Sequence, residues 1–140
     1  MKKLNILVAC EESQAVTKAL RKLKHNAYSC DLLKCSGKRP NWHFNCDVFK
    51  VINELGGELQ SGKKVKVKKW DLMIAHPPCT HLSVSGARWF TEGKKPMHLR
   101  DDAIAFVQKL MDAPISRIAI ENPVSVISLI ASVSVFALTN

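Results

Sequence analysis

Leu4-Asn5-Ile6-Leu7-Val8-Ala9-Cys10-Glu11-Glu12 is the stretch whose reading decides the fold. Behind Met1-Lys2-Lys3 it begins like a secretory leader, but the apolar run is short and two glutamates follow at once. A leader needs a longer apolar region and a small-residue cleavage site. A short, uninterrupted apolar run bounded by polar residues is instead the pattern of a strand buried on both faces of a parallel sheet. The residues after it fit that reading. Glu12-Ser13 offers a helix cap, and Ala15, Val16, Ala19, Leu20 and Leu23 recur at helical spacing. The helix is predicted to stop near Lys24-His25-Asn26, where basic side chains complement its dipole.

Further along, the same alternation repeats. Ala27–Cys30 reads as a second strand ending at Asp31, and a loop with Gly37 and Pro40 leads to a strand near His43–Cys46 and a helix over Asp47–Leu55. Gly56-Gly57 and Ser61-Gly62 punctuate a connection that ends in Lys63-Lys64-Val65-Lys66-Val67-Lys68-Lys69. That run suits an exposed edge strand guarded by lysines, or a basic loop touching phosphates. Trp70–Ala75 is a buried strand, Met97–Met111 a helix with Ala103, Phe106, Val107, Leu110 and Met111 as its apolar face, and Ser116–Ile120 a further strand. Strand and helix in alternation predict an α/β fold, a mostly parallel sheet with helices on both faces. Ligands of such sheets bind beyond the carboxyl ends of the strands, where Glu11, Asp31, Asp47, Cys79 and Glu121 stand.

Composition bounds the rest. The 140 residues, 46% hydrophobic and 24% charged, suit one globular domain, which at this size needs no disulfide or metal to fold. The domain is expected to occupy 1–123, with an atypical apolar tail over 124–140 that packs on it or mediates self-association as a homo-oligomer. No stretch is apolar and long enough to span a bilayer, the tail being interrupted by serines, so no membrane partner is expected. Five cysteines, an odd number, suggest reduced thiols and a cytoplasmic location. Lys and Arg outnumber Asp and Glu by 21 to 12, a net charge of +9 that favours a polyanion such as DNA.

The chemistry concentrates at two strand ends. His76-Pro77-Pro78-Cys79 leaves a buried strand through two prolines, which fix the backbone and hold the thiol in one place. A thiol so held suits repeated nucleophilic attack. Glu121, after Ile118-Ala119-Ile120 and before Asn122-Pro123, is expected to be partly desolvated and able to donate a proton to a ring nitrogen. Cys30, Cys35, His43 and Cys46 include four potential zinc ligands, but their spacing is that of no standard ribbon or finger, and zinc is not expected.

Pro77-Pro78-Cys79 resembles the Pro-Cys nucleophile motif of the DNA cytosine-5 methyltransferases, and Glu121-Asn122-Pro123 their Glu-Asn-Val motif, at a similar separation. The nearer resemblance is to small phage and prophage proteins of the methyltransferase-like type. It is carried by Val8-Ala9-Cys10-Glu11, Ser29-Cys30-Asp31-Leu32-Leu33, Asp71 through Thr80 and Ile120-Glu121-Asn122-Pro123, and covers most of residues 4–125. It implies a Rossmann-like, class I methyltransferase-type sheet. It also implies a bacterial host cytoplasm, a Cys79 thiolate that adds to C6 of cytosine, and Glu121 protonating N3. The base would leave the duplex stack to reach the thiol. S-adenosylmethionine would be the methyl donor, with Glu11, His76 and Pro77 beside it, Asp31 on the ribose hydroxyls and Asp47 on the adenine edge. Asn122, Arg88, Ser85, Lys94 and Lys95 would contact DNA or the target base.

The chain departs from that family at two places. Where the family has a glycine-rich turn after the first strand, this chain has Cys10-Glu11-Glu12-Ser13-Gln14, so close approach of a cofactor to the backbone is harder. The chain also ends at Asn140, before the family's remaining strands and target-recognition region, so the sheet is expected to be incomplete at its C-terminal end. Two other functions therefore compete. One is a non-catalytic, truncated phage protein that binds nucleic acid or a host defence protein. The other is a pyrimidine-modifying enzyme acting on nucleotides, since thymidylate synthases also place a nucleophilic Cys after two prolines.

Overall fold

In the computed structural model of the protein, residues 2–78 and 96–121 are described. Strand β1 (Asn5–Ala9) is followed by helix α1 (Ala15–Lys22), β2 (Asn26–Cys30), a 3₁₀ turn (Pro40–Trp42) and β3 (His43–Phe44). Then come α2 (Val48–Glu54), β4 (Gly56–Glu58), β5 (Lys64–Lys66), β6 (Leu72–Ala75), α3 (Met97–Met111) and β7 (Ile118–Ile120). Five strands form one sheet in the order β3-β2-β1-β6-β7, and every neighbouring pair runs parallel. The predicted α/β architecture is thus what the chain adopts. The chain crosses from one side of β1 to the other between β3 and β6, which makes the gap between β1 and β6 the place where the winding reverses.

β1 holds the centre because its side chains are apolar on both faces. Ile6, Val8 and Ala27 are buried on one face, with Val16 and Leu20 of α1 and Ile74 of β6 packed over them. Leu7, Ala9, Met73, Ala75 and Phe44 face the other way, against Val51 and Ile52 of α2 and Phe106 and Leu110 of α3. Helices therefore cover both faces. Tyr28, Phe44 and Trp70 pack on one another with ring centroids 5.6–6.4 Å apart, and the Trp70 indole N–H donates to the Val51 carbonyl at 3.3 Å.

Several local expectations are corrected. The cap of α1 is supplied by neither Glu12 nor Ser13. Gln14 takes the cap position in a left-handed conformation (φ 61°) with no capping bond of its own. The buried Glu11 carboxylate instead accepts from the Val16 and Thr17 amides at 2.7 and 3.1 Å and from the Thr17 hydroxyl at 2.7 Å. Leu23, expected on the apolar face, is exposed because the helix ends one residue before it. The lysine run does form a strand, β5, but it pairs antiparallel with β4 in a separate two-stranded unit rather than at the edge of the main sheet. Gly56 and Gly57, read as punctuation, are the strand it pairs with. At Gly56 (φ 130°) a side chain would collide with the Val65 backbone. The apolar tail over 124–140 lies outside the described residues.

One loop needs a glycine for packing. A Cβ on Gly37 would sit 2.7 Å from Gln14 Cβ and closer still to the Ser13 carbonyl. Gln14, fully buried, ties this loop down by accepting from the Arg39 amide (3.1 Å) and donating to the Arg39 carbonyl (2.9 Å) and Ser29 hydroxyl (3.1 Å). Ser29 in turn donates to His43 Nδ1 at 2.7 Å, while Nε2 donates to the Leu33 carbonyl at 2.9 Å. Both ring nitrogens of His43 are therefore engaged in the fold.

Removing a carboxylate that satisfies three donors beneath a helix costs far more than removing an exposed one. Glu11→Ala is expected to lower the unfolding free energy by about 2–3 kcal/mol. Glu12→Ala, which loses only a 3.2 Å bond from the Ser36 amide, should cost less than about 1 kcal/mol. Urea unfolding midpoints at constant slope check this, and equal losses would refute the assignment of the cap to Glu11.

Candidate functional site

The carboxyl ends of the parallel strands open into a cleft of about 370 Å³. Its floor is made where the strands stop: Cys10 after β1, Cys30 and Asp31 at the end of β2, Cys46 and Asp47 beyond β3, and Pro78 beyond β6. Leu32, Val48 of α2 and Asp102, Ala103 and Phe106 of α3 complete the walls. The cleft thus lies on the side of the sheet covered by α2 and α3, with three carboxylates and no lysine or arginine among the described residues of its lining. In a chain of net charge +9 this is a local reversal of sign.

The carboxylates are held by their own backbone. Asp31 Oδ1 accepts from the Leu33 amide at 2.9 Å, and the Asp31 amide donates to Phe44 O at 3.1 Å across the strand pair. Asp47 caps α2, its Oδ1 accepting from the Phe49 amide at 2.8 Å. Asn45 braces the loop by donating to the Leu32 carbonyl at 2.8 Å. Leu32 is left 76% exposed, a large apolar side chain at the cleft mouth.

Three thiols share this cleft, and their surroundings set them apart. Burial, then the charges of Asp31 and Asp47, pushes the Cys10 thiol up to about 12. The Cys30 thiol is fully buried and driven far above its ordinary value, first by its hydrogen bond to Cys46 and then by burial. Cys46 moves the opposite way, lowered to about 7, because the Cys30 S–H stabilises its thiolate and Lys50 helps, against the opposing effect of burial. The single Cys30 proton has two acceptors at hand. The Cys30 Sγ lies 3.3 Å from the Cys46 carbonyl oxygen, and the Cys46 thiolate is the other acceptor.

Of the residues singled out in the sequence, Asp31, Asp47 and Pro78 meet in this cleft. Glu11 lies at the end of β1 but turns inward under α1, away from the lining. His76 and Glu121 pair with each other: the His76 amide donates to Ala9 O (3.0 Å) and the Glu121 amide to Ala75 O (2.9 Å). This brings His76 Nδ1 to 2.9 Å from Glu121 Oε2. The Glu121 side chain is 76% exposed, so the partly desolvated setting expected for it is not what the structure has. His76 Nε2 is buried and finds no partner among the described residues. Pro77 is buried beside them. Cys79, Ser85, Arg88, Lys94, Lys95 and Asn122 lie outside the described residues.

The sequence marked Cys10 only as part of a motif and Cys30 and Cys46 only as potential zinc ligands, and it did not place them, or the α3 wall, in the cleft. The strand-end rule could have found Cys10, which directly follows β1. Asp102 and Phe106 carry no such signal, because which strand ends a distant helix covers is decided by the topology. Comparison of the chain with family models, curated proteins and solved structures found no match in any of the three.

Alkylation by iodoacetamide should separate the thiols, since only the thiolate reacts. At pH 7.5 Cys46 is expected to label early and Cys10 to remain unlabelled in the folded protein. The Cys46 rate should rise through about pH 7 and level off. Cys30→Ala removes the stabilising donor and should move that midpoint upward. Peptide mass mapping reads both effects, and a Cys46 midpoint that ignores the substitution refutes the thiol pair.

Proposed function

We propose that the chain is a DNA cytosine-5 methyltransferase-like protein, built on a Rossmann-like sheet, whose strand-end cleft receives S-adenosylmethionine. The observation that carries this reading is the acidic, partly apolar cleft at the point where the strand order reverses. Ligands of doubly wound sheets bind at that point. A phosphate-bearing ligand is disfavoured twice over. Among the described residues three carboxylates line the cleft without a cation, and the helix N-terminus that would hold a phosphate is already filled by Glu11. S-adenosylmethionine carries a sulfonium cation and no phosphate, so its charge suits this lining. The same argument weighs against a nucleotide-level pyrimidine enzyme, whose substrate would bring a phosphate into the cleft.

The residues divide the work as follows. Asp31 and Asp47, each anchored through one oxygen by its own turn, accept hydrogen bonds from ribose hydroxyls and the adenine amine respectively. Leu32 and Phe106 supply the apolar surfaces against which a purine ring lies. When bound, S-adenosylmethionine supplies an electrophilic methyl group. Cys79, next to the cleft-lining Pro78, adds as thiolate to C6 of an unstacked cytosine, which raises electron density at C5. His76 orients the Glu121 carboxyl at 2.9 Å, and the proton held between the two is delivered to N3 of the ring. C5 would then take the methyl group, with the spent donor leaving as a neutral thioether; loss of the C5 proton to water, return of the N3 proton to Glu121 and expulsion of the Cys79 thiolate would restore the aromatic ring.

Calorimetric titration with S-adenosylmethionine is expected to show saturable binding that Asp31→Asn or Asp47→Asn weakens at least tenfold, while dCMP gives no heat. Mass analysis of DNA from cells making the protein should find 5-methylcytosine with the parent chain and none with Cys79→Ser. Absence of binding at millimolar S-adenosylmethionine would overturn the cofactor assignment. Equal 5-methylcytosine with both chains would remove Cys79 from the reaction. A chain that binds DNA but neither binds S-adenosylmethionine nor modifies a base would be the non-catalytic phage protein instead.

A further inference from the structure

A second concavity, of about 830 Å³, lies where the strands begin rather than where they end. Lys3 before β1, His25 and Asn26 at the start of β2 and Trp42 before β3 line it, joined by the outer side of α1 and the 37–39 loop. Among the described residues eleven line it, seven of them lysines and arginines and none a carboxylate. Among the described residues none of those seven forms an ion pair. The charge is therefore concentrated and unneutralised, in contrast to the acidic cleft at the other end of β2.

The floor of the groove is built rather than merely decorated with lysines. The Arg21 guanidinium lies over both Tyr28 and Trp42, 4.7 and 4.6 Å from the ring centroids, and Arg39 lies 5.2 Å from that of Trp42. Arg21 Nε donates to the Ala27 carbonyl at 2.8 Å, and Nη2 is enclosed without an acceptor among the described residues. The Arg39 backbone is clamped on both sides by Gln14. Trp42 thus serves to hold guanidinium groups and is not offered as a platform for a base.

The lips of the groove give a second, independent sign. Lys24 and Lys38 both adopt the left-handed conformation, with φ of 70° and 63°. For a residue with a Cβ this costs on the order of 1 kcal/mol, and the position just past a helix, which Lys24 occupies, is commonly glycine. The local backbone would be more comfortable with glycine at both places. A lysine at each therefore points to a use for the charge.

We infer that this groove is a binding track for the phosphate backbone of duplex nucleic acid, separate from the strand-end cleft and independent of methyl transfer. Fixed guanidinium groups ringed by flexible lysines neutralise phosphates without reading bases, so binding is sequence-independent and falls steeply with salt. The β2 strand between the two sites is five residues long, roughly 16 Å at strand spacing, so a duplex in the groove is held away from the cleft mouth.

The left-handed lysines supply a test that spares the fold. Lys24→Gly with Lys38→Gly removes two charges while relieving backbone strain, so the urea midpoint is expected to stay level or rise. Fluorescence anisotropy with a labelled 20-base-pair DNA duplex at 50–200 mM salt should show at least a tenfold loss of affinity for this double variant. The log–log salt slope should become shallower by about 2, near 0.9 for each lost phosphate contact. Lys64→Ser with Lys68→Ser removes the same net charge from the hairpin and should change affinity less than threefold. The Lys24→Gly, Lys38→Gly variant should leave the calorimetric response to S-adenosylmethionine unchanged, which keeps this outcome distinct from that of the methyl-transfer experiments. Two duplexes of unrelated sequence should bind within twofold of each other. Equal losses in the groove and hairpin variants, or a parent chain that fails to bind at 50 mM salt, would overturn the proposal.

Discussion

The Glu11 carboxylate, buried beneath the first turn of α1, is the interaction on which the rest of the structure depends. A turn from a central strand into a helix usually relies on glycine to bend without strain. Here Cys10 and Gln14 take left-handed conformations instead, with φ of 59° and 61°. Each costs on the order of 1 kcal/mol. Three hydrogen bonds to a charged carboxylate offset that cost. Gln14, so placed, reaches the 36–39 loop and Ser29, and Ser29 reaches His43, so one turn fixes α1, β2 and the entry to β3 together.

The same arrangement governs what the cleft accepts. An intramolecular anion now stands where a sheet of this kind would hold a ligand's phosphate. The remaining lining is acidic and apolar, with thiols kept distinct by burial and by a shared proton. The glycine-free turn, which in the sequence looked like an obstacle to a cofactor, is better understood as a selector. It fills the helix N-terminus with the chain's own carboxylate, which weighs in favour of the cationic methyl donor proposed above.

The elements that bury their side chains were legible in the sequence. α3 matches its predicted bounds at Met97 and Met111, and β1, β6 and β7 lie within the apolar runs that announced them, because burial on both faces leaves an unbroken hydrophobic pattern; β2 starts one residue earlier than expected, at Asn26. Asp31 was legible as a strand-end residue because it directly follows β2, and Asp47 because its strand was expected to run to Cys46; both line the cleft although β3 stops at Phe44, whereas Glu11 at the end of β1 turns under α1. The rest depended on tertiary geometry. The Gly56-Gly57 strand is invisible to β-propensity, since it exists only because the Val65 backbone approaches too closely for a side chain. The cap was misplaced because Glu11 reaches α1 from five and six residues away, beyond the usual capping spacing. The exposure of Glu121 follows from its position at the end of β7, the last strand of the described sheet, which no local pattern records.

The brevity of β3 has its own consequence. An edge strand usually presents a row of unpaired amides and carbonyls to any passing chain. β3 presents only two residues, it follows Pro40, and its outward His43 carbonyl is already taken by the Gln60 amide at 2.7 Å. Intermolecular sheet extension on this flank therefore has almost no template. A concentrated solution of the protein is protected there against fibrillar stacking, whatever it binds elsewhere.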